Sequence, residues 1–224
     1  MGRTFSFSDA DAVLFDFDGT VADTAHAVMT STRLTLAARG FTEEEMGDLR
    51  RMIGPPLRDS FRDFYGFSRE ESEVLADEYR AYFNRMGPDA YPVFPGMREL
   101  LEKLSAEGKR LAIATSRLES KAKEMVAELG LDMFDAVVGM NPAEGRSVKA
   151  DSIRDALAAL SAAPADSVMV GDRRFDIEGA HALGVPAIGI YTGGAIAGEH
   201  EAAGADAIVH TVGELAGLFG VDLG

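Results

Sequence analysis

Short apolar runs recur along the chain, each closed by glycine or a polar residue and followed by a longer stretch with apolar residues at helical spacing. The short runs fit strands buried on both faces, and the periodic stretches fit amphipathic helices. Strands are predicted at 12–17, 110–115, 135–139, 167–171, 186–190 and 207–210. Helices are predicted at 97–106, 119–129, 149–160, 175–183 and 212–219. Such alternation specifies an α/β fold, a parallel sheet sandwiched by helices.

The interval 22–92 breaks the alternation, because helical spacing continues there with no strand-like run. It reads as an inserted all-helical cap domain, leaving 1–21 and 93–224 as the core. Thr42-Glu43-Glu44-Glu45 and Ser68-Arg69-Glu70-Glu71 match the capping box, in which a hydroxyl and the third-position carboxylate satisfy free amides at a helix start. Beyond Ser68, residues Leu75, Tyr79, Tyr82, Phe83 and Met86 fall on one stripe and are expected to form the core of the insertion. The chain leaves near Val21 and returns through Tyr91-Pro92-Val93-Phe94-Pro95-Gly96, where two prolines and a glycine restrict the backbone to defined crossings. These crossings are candidate hinges.

With 224 residues, the chain can bury a substantial core and a smaller inserted domain. Its 22 basic and 37 acidic residues give a net charge of −15, an average field that repels a nucleic-acid polymer but admits a small anion to one locally positive pocket. The lack of cysteine removes disulfides, thiolate metal sites and a cysteine nucleophile; it fits a reducing compartment, so the cytoplasm is the expected location. Residues 1–11 are mixed and polar, unlike a signal peptide. No segment approaches the roughly 18 uninterrupted apolar residues of a membrane span, so no membrane partner is expected.

The first predicted strand ends Phe15-Asp16-Phe17-Asp18-Gly19-Thr20, which puts two carboxylates at the sheet edge where open α/β folds bind ligands. Two such charges drawn together out of water need a cation or a shared proton, and oxygen donors without a thiol favour Mg2+. Asp-x-Asp-Gly is also an ordinary turn sequence, so the other strand ends carry weight. The second strand finishes at Thr115-Ser116, whose hydroxyls and amides suit a phosphate oxygen. Lys149 opens the helix after the third strand and offers a cation to a transferring phosphoryl group. The fourth strand ends Gly171-Asp172-Arg173-Arg174-Phe175-Asp176, adding acids to the same edge. An acid in the first turn of a helix is also favoured by the helix dipole alone, and Arg173 and Arg174 read as electrostatic support or surface.

Asp16, Asp18, Gly19 and Thr20, then Thr115, then Lys149, then Asp172 and Asp176, resemble in order the four motifs of the haloacid dehalogenase superfamily. The resemblance covers nearly the whole chain and is to the phosphatase branch, with a Rossmann-like core and a helical cap inserted after the first motif. Asp23-Thr24 and the cap loop Gly54-Pro55-Pro56-Leu57 are most similar to phosphoglycolate phosphatase and related 5′-nucleotidases. It implies that Asp16 is a nucleophile forming an aspartyl-phosphate, and that Asp18 donates and accepts the proton. It further implies that Thr115, Ser116 and Lys149 bind phosphoryl oxygens, and that Asp16, the backbone carbonyl of Asp18 and Asp172 hold Mg2+. Asp176 is then a further ligand or stands just behind the ligands. The implied substrate is a small phosphorylated metabolite, with loop 54–57 reaching down to it and Arg50, Arg51, Arg58 and Arg62 flanking that loop. His26, His181, His200 and His210 have no partner spacing and receive no role.

Ser116-Arg117-Leu118 departs from relatives that often carry lysine and then proline, and bears on the leaving-group contacts. A dehalogenase lacks the second acid of the first motif, and a phosphonatase needs a cap lysine, of which 22–92 has none. A phosphosugar mutase shares all four motifs and stays open. So does a non-enzymatic phosphoacceptor switch of receiver type, which has no large helical insertion after its first strand. Phosphoglycolate, nucleoside monophosphates and sugar phosphates all stay open as substrates.

Overall fold

A computed structural model describes residues 6–224, so the first five residues of the polar N-terminal stretch lie outside the described residues. Six parallel strands form one sheet: β1 (Ala12–Phe15), β2 (Arg110–Leu118), β3 (Ala136–Met140), β4 (Ser167–Gly171), β5 (Ala187–Ile190) and β6 (Ala207–Val209). Their order is β3-β2-β1-β4-β5-β6, every pair being parallel. The order reverses beside β1, so the crevice between the ends of β1 and β4 is the switch point of the sheet.

Between β1 and the returning crossing at 91–96 lie four α-helices among the described residues, α1 (Ala25–Ala37), α2 (Glu43–Met46), α3 (Leu57–Tyr65) and α4 (Arg69–Phe83). A receiver-type switch lacks this feature. Both capping boxes are formed: the Thr42 amide donates to Glu45 at 2.8 Å and the Ser68 amide to Glu71 at 2.8 Å, each reciprocated by the third-position amide. Of the aromatic stripe, Leu75, Tyr79 and Phe83 are buried, while Tyr82 and Met86 stay half-buried. The two crossings to the core run side by side. Ala22 bridges Val93 antiparallel, the Asp23 amide donates to the Pro92 carbonyl at 2.8 Å, and the Phe94 amide donates to the Val21 carbonyl at 3.0 Å.

The remaining helices are α5 (Met97–Ala106), α6 (Glu119–Glu128), α7 (Lys149–Leu160), α8 (Arg174–His181), α9 (Glu199–Ala203) and α10 (Val212–Leu218). Strand side chains alternate between two cores. Val13, Phe15, Leu111 and Ile113 face one, with Leu100 and Leu104 of α5, Met125 of α6 and Leu215 of α10. Ala12, Leu14, Ala112 and Ala114 face the other, with Ile153 and Leu157 of α7 and Ile177 of α8. Leu36, Phe61 and Phe83 of the insertion join the first core. No helix of the described residues is long and apolar enough to cross a membrane.

The structure shifts several predicted boundaries. β1 stops at Phe15 and not Phe17, because the amides of Val21 and Ala22 both turn back to the Phe17 carbonyl, at 3.1 and 3.0 Å. β2 continues past Thr115 to Leu118 after a register shift against β3. Asp135 falls outside β3, its carboxylate accepting the Leu111 amide at 2.8 Å. Helix α9 was not predicted; at five residues it is too short to show a helical period.

Leu14 is fully buried between strands and helices of the second core, so Leu14→Ala is expected to lower the unfolding free energy by about 2–5 kcal/mol. Denaturant titration checks this, as a lower midpoint with an unchanged slope; a loss near zero contradicts the packing described.

Candidate active site

Asp16 follows β1, and its amide donates to the Val170 carbonyl of β4 at 2.9 Å, fixing the carboxylate between the two central strands. Asp172 follows β4, and Asp176 lies in the first turn of α8, where its Oδ2 accepts the Arg173 amide at 3.0 Å. Two glycines make the space. A Cβ on Gly171 would lie 2.2 Å from Cγ of Asp176, and one on Gly19 would lie 2.3 Å from Oδ2 of Asp172. Gly19 also has φ +82°, which glycine adopts without the steric cost borne by other residues. Carboxylate oxygens of Asp16, Asp172 and Asp176 consequently lie within 4.8 Å of one another, all three residues being buried.

Lys149, the first residue of α7, is buried and places Nζ 2.7 Å from Oδ1 of Asp16 and 2.6 Å from Oδ1 of Asp176. One ammonium thus pairs with two of the three clustered carboxylates. Burial raises the Asp16 carboxyl to about 7, with Lys149 pulling it down and Asp176 and Asp18 pushing it further up. Asp172 is raised well above the ordinary carboxylate range by burial and then by Asp16 and Asp176. Burial by itself would lower Lys149, but Asp16 and Asp176 outweigh it and hold the ammonium above the usual lysine range. The carboxylate of Asp172 is oriented by the Gly194 amide at 2.6 Å and by the Thr20 hydroxyl at 3.5 Å, and the Thr192 hydroxyl ties that loop to the Gly19 carbonyl at 2.7 Å. A buried, all-oxygen cluster with excess negative charge fits a hard divalent cation such as Mg2+.

A cavity of about 620 Å³ opens between the insertion and this sheet edge. Asp16, Asp18, Thr115 and Ser116 line it from the core, and Gly54, Pro55, Pro56 and Leu57 from the insertion. Lys149, Asp172 and Asp176 are not among its lining residues, whereas Asp16, which pairs with Lys149 at 2.7 Å and clusters with the two acids, is. Thr115 Oγ1 accepts the Arg117 amide at 3.1 Å, which leaves its own hydrogen to be donated.

The arginines divide. Arg58 and Arg62 line the cavity, whereas Arg50 pairs with the exposed Asp48 at 2.7 Å and Arg51 stacks 4.7 Å from the Tyr65 ring. Arg174 stays at the surface beside Glu178, but Arg173 does not: it donates to Glu199 at 2.9 Å and to the Ile53 carbonyl, holding the base of loop 54–57 on the core. No histidine lines the cavity; His200 is buried with Nε2 3.2 Å from the Ile190 carbonyl. Sequence reasoning missed two contacts here, the Thr192 to Gly194 loop behind Asp172 and the double hydrogen bond from Arg117 to Asp18, at 3.0 and 2.5 Å. Only the second left a trace in the sequence, as the departure from lysine and proline after Ser116.

Residues 13–190 match the family model described as haloacid dehalogenase-like hydrolase. Over 179 residues the chain is 35% identical to a 5′-nucleotidase of Pseudomonas aeruginosa, covering 80% of this chain and 81% of that protein. It is 36% identical to the tyrosine-protein kinase PtkA of Mycobacterium tuberculosis, covering 79% of this chain but 60% of that one. Among solved structures, a protein of Clostridium acetobutylicum described as a predicted phosphatase aligns with a TM-score of 0.85 at 36% identity, over 92% of this chain and 96% of the other. With the parallel sheet and its acidic switch point, these matches define the class: the chain belongs to the haloacid dehalogenase-like hydrolases.

A carboxyl raised by folding holds its proton in the native state where the unfolded chain has lost it, so the unfolded state binds fewer protons across that window and stability falls as pH rises. For Asp16 the window runs from the ordinary 3.8 to about 7. The melting temperature of the metal-free protein, relative to that of Asp16→Asn, is expected to fall between pH 4 and pH 7. Added Mg2+ is expected to raise it more at pH 8 than at pH 5, because the cation competes with the proton. Thermal unfolding in chelator and in Mg2+ measures both; a difference that stays flat or rises with pH contradicts the charge arrangement described.

Proposed function

We propose that this protein hydrolyses a small phosphomonoester through an aspartyl-phosphate on Asp16. The observation that carries the reading is Asp16 itself. It is buried at the switch point, tied to an ammonium, clustered with Asp172 and Asp176, and open to a cavity it shares with Asp18 and Thr115.

In this reading an oxygen of Asp16 attacks phosphorus while the bond to the leaving oxygen breaks, which divides one difficult displacement into two easier ones. Asp18 gives its proton to the departing alkoxide. It then takes a proton from the water that attacks the phosphoryl group, the bond from phosphorus to Asp16 breaks, and inorganic phosphate leaves with Asp16 restored. Acid and base assistance of this kind is worth about 10² to 10⁴ in rate. Thr115, Ser116 and Lys149 bind the phosphoryl oxygens. Asp16, the backbone carbonyl of Asp18 and Asp172 hold Mg2+, with Asp176 a further ligand or just behind them; when bound, the ion supplies positive charge to the phosphoryl oxygens.

Residues 22–92 act as a cap domain over a core of 1–21 and 93–224, hinged at the paired crossings around Ala22 and Val93. Loop 54–57 meets the substrate. The 5′-nucleotidase relative and the cavity of about 620 Å³ support a metabolite as large as a nucleoside monophosphate, with phosphoglycolate the smaller candidate. The net charge of −15 and the lack of cysteine support a cytoplasmic enzyme that acts on metabolites and not on nucleic-acid polymers.

The purified protein is expected to hydrolyse p-nitrophenyl phosphate in Mg2+, to stop when chelator is added, and to lose essentially all turnover as Asp16→Asn. Phosphate release measures this. Wild-type turnover by Asp16→Asn removes the nucleophile, and an isomerised sugar phosphate without free phosphate marks a mutase.

A further inference from the structure

Arg117 stands two residues beyond Thr115, on the irregular end of β2, where the strand continues past its expected stop. Its side chain is 13% exposed and its guanidinium is used on two sides. On the core side, Nε donates to Oδ2 of Asp18 at 3.0 Å and Nη2 to Oδ1 at 2.5 Å, so both carboxylate oxygens are engaged. On the other side lies the ring of Phe83, the last residue of α4, with its centroid 4.4 Å from Cζ. Tyr79, one turn earlier, is close enough for the Arg117 charge to oppose the rise that burial imposes on its hydroxyl.

Phe83 is the middle of an aromatic ladder. Its ring stacks on Tyr79 at 6.0 Å and on Tyr91 at 5.8 Å. Tyr91 belongs to the returning crossing, and its hydroxyl donates to Glu128 of α6 at 2.5 Å. The ladder therefore ties the guanidinium to the insertion, to a crossing and to the core.

A buried ion pair is a weak stabilising device, since apolar residues of similar volume serve stability as well or better. What this pair fixes is direction. A carboxyl group that protonates a leaving oxygen must aim one oxygen at it, and a fork on both oxygens decides where they point.

We infer that Arg117 is a positioning residue through which the insertion aims Asp18, the acid being oriented while Phe83 of α4 lies on the guanidinium. This rests on the phosphatase reading above and adds to it a reporter of closure. Lifting α4 removes the ring from Arg117, frees the fork to turn, and leaves Asp18 without its fixed direction, so proton delivery waits for a closed cavity.

The test uses leaving groups, because an alkoxide needs a proton to depart and p-nitrophenolate hardly does. The quantity is kcat/KM, which reports the steps through expulsion of the leaving group, on p-nitrophenyl phosphate and on glycerol 2-phosphate in saturating Mg2+. In Arg117→Ala and in Phe83→Leu, the ratio of the aryl to the alkyl value is expected to rise about tenfold or more, a fraction of the full value of acid catalysis. Arg117→Lys and Phe83→Trp, which keep a cation and an aromatic face, are expected to bring the ratio back toward wild type. Added to Arg117→Ala, Phe83→Leu is expected to change the ratio no further, as two residues acting through one contact require. Equal losses on both esters, or a Phe83 effect that persists without Arg117, overturn the inference while leaving the phosphatase reading intact. A wild-type protein that hydrolyses neither ester removes that reading, and this inference with it. Should Arg117→Ala fail to fold, Phe83→Leu and Phe83→Trp carry the comparison, and equal ratios in the two overturn it.

Discussion

One ammonium group is set among three buried carboxylates, and the rest of the molecule either pays for that arrangement or exploits it. At an effective dielectric constant of about 20, unit charges within 5 Å interact by roughly 3 kcal/mol or more. The three repulsions among Asp16, Asp172 and Asp176 are then about matched by the two short contacts of Lys149 at 2.6 and 2.7 Å. The desolvation of four charges is left over, and burial is accordingly the first cause of the upward displacement of Asp16 and of Asp172. A cation removes most of this imbalance. A transferring phosphoryl group adds charge that only a cation and donors already in place can meet.

The fold holds the cluster because its members sit on rigid supports. Asp16 and Asp172 follow adjacent central strands, Asp176 and Lys149 open helices whose inner faces share one core, and glycine at 19 and 171 lets the carboxylates close in. Electrostatic contacts of this kind gain strength when water is excluded, and residues of the helical insertion line the cavity over this edge. The insertion meets the core at two guanidinium groups: Arg173 holds the carbonyl of Ile53 below the loop, and Arg117 lies between Asp18 and Phe83. Arg117 lies on the irregular end of β2 and Arg173 two residues past the end of β4, so both contacts fall at the sheet edge that carries the acidic cluster.

Much of this was legible in the chain. The parallel sheet follows from uninterrupted apolar runs such as Val168-Met169-Val170, since a strand covered on both faces has no polar side to show. Thr42 and Ser68 announced helix starts because a capping box is local chemistry, complete within four residues. The family motifs brought Asp16, Asp18, Thr115, Lys149, Asp172 and Asp176 to one edge before any distance was known. What escaped was long-range or irregular. The extension of β2 to Leu118 depends on a register shift against β3, and Arg117 reaches Asp18 across 99 positions of sequence. Tyr79 and Phe83 looked like packing residues, and they are, but they also face a guanidinium that periodicity cannot see. The latch at Arg173 was read as support or surface because its partner, the Ile53 carbonyl, has no signature in side-chain chemistry.

The excess of carboxylates over ammonium at the switch point favours the binding of one divalent cation. Calorimetric titration of Mg2+ into the metal-free protein, without substrate, tests it most directly. One site per chain is expected, with weaker binding as pH is lowered toward 5 and loss of the site in Asp172→Asn. Binding that is absent in the wild type, or unchanged in Asp172→Asn, would contradict it.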